Sequence, residues 1–76
     1  MPKLPQISGK KLIKALQKDG WVEVGQKGSH IKLRKHLEPV GKLTLIIPQH
    51  KVIKKGTLAR ILKDSNTELE KLIKLL

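Results

Sequence analysis

The chain has 76 residues, 17 of them Lys or Arg against 6 Asp or Glu, which leaves a net charge of +11, and it contains no cysteine. A chain this short makes one domain, residues 1–76, with a thin core, because only about 60% of its unfolded surface is buried on folding. Disulfides and thiolate zinc sites are excluded, and the longest wholly apolar stretch, Leu45-Ile46-Ile47-Pro48, is far below the ~20 residues that cross a bilayer.

Met1-Pro2-Lys3-Leu4 opens the chain without an apolar run of signal-peptide length, so a soluble, cytoplasmic protein is expected. Ser8 suits an N-cap, and Leu12, Ile13 and Leu16 behind it share one helical face, with Lys10, Lys11, Lys14 and Lys18 over much of the rest. Asp19-Gly20 ends this helix, Gly20 taking the left-handed C′ conformation. Trp21 to Val24 reads as a strand and Gln26-Lys27-Gly28-Ser29 as a turn. His30 to Arg34 alternates strictly, with Ile31 and Leu33 on one side and His30, Lys32 and Arg34 on the other. His36 to Gly41 is a longer connection. Lys42 to Ile47 forms a third strand with Leu43, Leu45 and Ile47 on one face, ended by Pro48. Gly56-Thr57 opens a short helix with Leu58, Ile61 and Leu62 inward, broken by Asp64-Ser65-Asn66. Thr67-x-x-Glu70 fits a capping box for a last helix whose stripe is Leu69, Leu72, Ile73 and Leu76.

The order is α-β-β-β-α-α, an α+β domain. Three sequential strands on short turns predict an antiparallel meander, with helices over one face and the other face open to water. That plan matches a double-stranded-RNA-binding domain.

Charge is uneven along the chain. Residues 1–63 carry +12 and residues 64–76 carry −1. So large an excess in so small a body points to an anionic partner, nucleic acid above all. Trp21 is the only aromatic residue, so no base-stacking platform of the RRM or OB type can be built. RNA would be held through phosphates, hydroxyls and shape. Lys54-Lys55, ahead of a helix, suits phosphate contact.

Two segments then carry a resemblance. Gln26-Lys27-Gly28-Ser29-His30 is one signature. Ile47-Pro48-Gln49-His50 followed by Lys54-Lys55-Gly56-Thr57-Leu58 is the other, with Leu4-Pro5, Ser8-Gly9-Lys10 and Leu16 through Trp21 in their expected places. In this order and spacing the chain resembles the HicA-type mRNA interferase toxins of prokaryotic toxin–antitoxin pairs, also called YcfA-like proteins. Gln49 departs from the basic residue often found at that position. The resemblance implies a double-stranded-RNA-binding-like fold, metal-independent cleavage of mRNA, a catalytic histidine at His30 and a HicB-type antitoxin as partner, with no membrane and no small-molecule cofactor.

The residues fit that chemistry. RNA carries its own nucleophile, the 2′-OH, and needs a base to take its proton and an acid to protonate the leaving 5′ oxygen. An imidazole, which ionises near ~6.5 in water, can serve at either step. His30 is the expected acid/base. Lys27, Gly28, Ser29, Lys32, Arg34, Lys54 and Lys55 are the expected RNA contacts, cations for the charged phosphorane and glycine for close backbone approach. His50, beyond the third strand, is either an auxiliary acid, an RNA contact or a loop-stabilising partner. His36 reads as a loop residue. The three histidines have no metal-ligand spacing and the acidic residues no cluster for two magnesium ions, so no metal is expected. Two other readings compete: a non-catalytic double-stranded-RNA-binding module, and, more weakly, a small DNA-binding regulator built on the last two helices.

Overall fold

The structure, a computed structural model, describes residues 4–76. Met1 to Lys3, the residues at which the chain's opening was read, lie outside the described residues. The elements run in the expected order: α1 Gly9–Lys18, β1 Val22–Lys27, β2 His30–His36, β3 Lys42–Pro48, α2 Lys55–Asp64 and α3 Leu69–Leu75. The strands form one antiparallel sheet in the order β1-β2-β3. This is the predicted α+β meander.

The Ser8 hydroxyl caps α1 by accepting the Lys11 N–H at 3.1 Å. The helix ends in a Schellman motif, with Gly20 at φ +96 as its left-handed residue. The Gly20 N–H reaches the Gln17 carbonyl (3.2 Å) and the Trp21 N–H reaches that of Leu16 (3.1 Å). Trp21 is thereby committed to the helix end and the core, so the first strand starts one residue later than expected. It also runs further. Gln26 and Lys27, read as turn, pair with Ile31 and His30, leaving Gly28-Ser29 as a two-residue turn. Their polar side chains gave no strand signal because β1 packs neither face and needs only its ladder. A register shift between Glu23 and Gly25 makes Val24 a bulge in this edge strand. β3 likewise includes Pro48, tolerated because β3 is the other edge.

Helix α2 begins at Lys55, one residue before the expected Gly56-Thr57, and ends in a second Schellman motif with Asn66 at φ +56. There the Thr67 N–H bonds to the Leu62 carbonyl (2.9 Å) and the Asn66 N–H to that of Lys63 (3.1 Å). This overturns the capping box. Thr67 is buried, serves the end of α2 and donates its hydroxyl to the Ser65 carbonyl at 3.4 Å, while Glu68 takes the N-cap place of α3 without a side-chain bond. The expected stripe of α3 is corrected as well. Leu72 is buried and Leu69 and Leu75 are half-buried, whereas Ile73 (49% exposed) and Leu76 (47%) face water. A helix of two turns docks through one ridge.

The core lies between the sheet and the helices. Ile31, Leu33, Leu45 and Ile47 from the sheet meet Leu12, Leu16, Leu58 and Leu72, with Trp21 only 2% exposed. Each such burial is worth about 1.5–3 kcal/mol. Among the described residues no helix covers the opposite sheet face.

Candidate active site

Alternation along β2 builds the site. Ile31 and Leu33 are buried, so His30 and Lys32 project from the open face, both exposed. Lys27 stands directly across the β1–β2 ladder from His30, and Gly25 across from Lys32, where the missing side chain leaves open space. On the other side Ile46 pairs with Lys32. Gly25, Gln26, Lys27, His30, Lys32 and Ile46 line one shallow depression of about 480 Å³. Among the described residues no carboxylate lines it. An anion entering there would meet two ammonium groups and an imidazole over an apolar patch.

The turn that presents His30 is held from two sides. Gly28 takes φ +60 at the first central position, where a type II′ hairpin turn takes glycine. The Ser29 carbonyl accepts the Gln49 N–H at 2.7 Å. The Gln26 amide Nε2 donates to the Gly28 carbonyl (3.0 Å) and weakly to Gln49 Oε1 (3.4 Å). The two signature segments, separated in the chain by residues 31–46, are thus joined at the mouth of the depression.

Of the expected site residues, His30, Lys27 and Lys32 come together, with Gly28 and Ser29 at the adjoining turn. Arg34 shares their face but does not line the depression. It is half-buried, and its Nε is buried without a hydrogen-bond partner. His50 lies in a separate depression lined by Ser8, Lys10, Gln49, His50 and Lys51, and Lys54 and Lys55 are exposed at the start of α2, outside both. His36 ends β2, opposite Lys42, in the strand rather than the loop. Sequence reasoning missed Gly25, Gln26 and Ile46 as lining residues. Extending the hairpin pairing inward from a Gly28-Ser29 turn would have set Gly25 opposite Lys32, whereas Ile46 depends on the β2–β3 register.

A small α+β domain whose open, cationic sheet face presents the exposed His30 imidazole between lysines defines the class. The family model described as the HicA toxin of bacterial toxin–antitoxin matches residues 9–66, from the first residue of α1 to just past α2, and includes both signature segments. The chain belongs to this family. No curated relative and no solved structure matches it. Among the described residues no helix is long and apolar enough to cross a membrane.

Proposed function

We propose that this HicA-family toxin is an endoribonuclease that cuts mRNA without a metal, with His30 as general acid/base, and that a HicB-type antitoxin silences it. The observation that carries the reading is the exposed His30 imidazole set between Lys27 and Lys32 on an uncovered sheet face. Family membership supports it independently.

In this reaction the imidazole takes the proton of the 2′-OH. The 2′ oxygen bonds to the adjacent phosphorus, and the P–O5′ bond breaks. The 5′ oxygen leaves with a proton supplied by a water molecule, giving a 2′,3′-cyclic phosphate and a 5′-OH end, and the imidazolium then returns its own proton to solvent. Lys27 and Lys32 offset the negative charge that builds on the phosphorane. One positioned proton-transfer group supplies typically 10²–10⁴-fold. A single-histidine enzyme is therefore modest, which suits an agent that only has to disable messages. The cationic face also gives an acidic antitoxin a surface to cover.

The test is a labelled transcript incubated with purified protein in EDTA. Wild type should cut it to cyclic-phosphate ends. His30→Ala should lose roughly 10²–10⁴-fold in rate while still binding RNA, and should no longer arrest growth when expressed in a host. RNA left intact by antitoxin-free wild type, yet bound, would instead select the non-catalytic RNA-binding module.

A further inference from the structure

The depression beside the proposed active site is built with as much care as the site itself. Lys10 comes from α1, and His50 and Lys51 from the β3–α2 connection, with Ser8 and Gln49 completing a lining of about 370 Å³. Two backbone bonds clamp that connection to the start of α1: Gly9 N–H to the His50 carbonyl (2.9 Å) and Ile53 N–H to the Ile7 carbonyl (2.8 Å). The approach is close enough that a Cβ on Gly9 would collide with the Pro48 carbonyl oxygen. Lys10, His50 and Lys51 are exposed, and among the described residues no carboxylate pairs with any of them. Three basic side chains thus line one depression with no carboxylate among its described lining residues, a setting that favours an anion.

Its place relative to His30 is fixed. Gln49 lines this depression and bonds through its N–H to Ser29 and through its side chain to Gln26, the wall of the first. Pro48 stands opposite His30 across the ladder, about 5 Å away by ordinary strand geometry. His50 follows two residues later, at most about 7 Å of chain. The two basic depressions are neighbours on one rim, separated by an uncharged Gln26–Gln49 bridge. The Ser8 hydroxyl already accepts the Lys11 N–H, so toward a ligand it offers its own proton. The capped helix end is not what draws the anion; the cations are.

We propose that the Ser8–Lys10–Gln49–His50–Lys51 depression is a second phosphate subsite, which holds the RNA backbone beside the bond cut at His30. The proposal rests on the ribonuclease reading for its substrate, and it makes His50 a contact to the strand rather than the second acid.

The experiment separates the two. Binding of a ten-nucleotide 2′-O-methylated RNA, which cannot react through its 2′ oxygen, is measured against salt for the full chain. Lys10→Gln/Lys51→Gln should weaken binding and flatten the slope of log Kobs on log salt by about 1.4, at about 0.7 per single-strand phosphate contact. Lys63→Gln/Lys74→Gln, with the same loss of net charge on α2 and α3, should leave the slope unchanged, and Lys10→Arg/Lys51→Arg should restore it. On a cleavable transcript the Gln pair should raise KM and leave kcat alone. Equal slopes for the two Gln pairs overturn the subsite. So does a loss confined to poly-glutamate binding, which would give the surface to an acidic protein. A flattened slope with no cleavage by wild type keeps the second phosphate contact and overturns only the ribonuclease reading.

Discussion

Gly28 shows how much of the site depends on a single backbone angle. A Cβ there would touch nothing, so space is no obstacle to a side chain. The obstacle is φ +60, which L-residues adopt only at a cost of about 1–3 kcal/mol. Gly28→Ala should therefore lower stability by about that amount in urea unfolding. It should also reduce cleavage by up to roughly 10²-fold, because relaxing the turn displaces the adjoining His30 and small misplacements are expensive in catalysis. A cleavage rate unchanged in a protein destabilised by this amount would show that the turn does not position the imidazole. At this scale the strict alternation of His30 to Arg34 was enough to put His30 and Lys32 on the open face. It could not tell that Arg34 sits too far along β2 to reach the depression. That depends on which residues of β1 and β3 flank Lys32, namely Gly25 and Ile46, a pairing that the alternation of β2 alone does not carry.

Among the elements, α3 is attached by little, and its attachment is electrostatic as much as apolar. Asp19, at the C-cap of α1, accepts from Lys71 of α3 (2.9 Å) and from Lys35 of β2 (3.1 Å), and Lys18 donates to the Leu75 carbonyl (3.1 Å). The Lys71 hydrogen bond holds the Asp19 carboxyl below the usual carboxylate range; burial opposes it, and the Lys35 contact adds to it. A depressed carboxylate contributes stability that is fully present above its unfolded pKa of ~3.9 and is lost as pH falls through the lower folded value. Asp19→Asn should cost about 2 kcal/mol at pH 7, a figure kept low because Lys71 is half exposed. The gap between variant and wild type in urea titrations should close in acid, as pH falls from 7 through the lowered value of the Asp19 carboxyl. A gap equally wide in acid and at pH 7 would remove Asp19 from the account of how α3 is held. None of this was legible in the sequence, since the partners lie 16 and 52 residues from Asp19. Helix ends were read unevenly for a related reason. Gly20 announced its Schellman motif plainly, but Asn66 did the same work for α2 and took Thr67 with it, so a pattern that fits a capping box belonged to the preceding helix.

For the molecule as a whole, the element order, the meander and the covered and open faces follow from periodicity and turn residues, because a core this small leaves few ways to bury Ile31, Leu33, Leu45 and Ile47 together. What periodicity could not supply is adjacency between distant segments. The junction of Ser29 with Gln49, and of Gly9 with His50, exists only once the chain is folded. Trp21, finally, gives this protein an optical property. It is the only aromatic side chain in the chain and lies 2% exposed in the core beneath the sheet. Its emission should be blue in the native state, move to the red as the chain unfolds, and stay unquenched when RNA settles on the far face. One fluorophore would then register folding and ignore ligand, so a variant that has lost its substrate can be told from one that has lost its shape in the same cuvette.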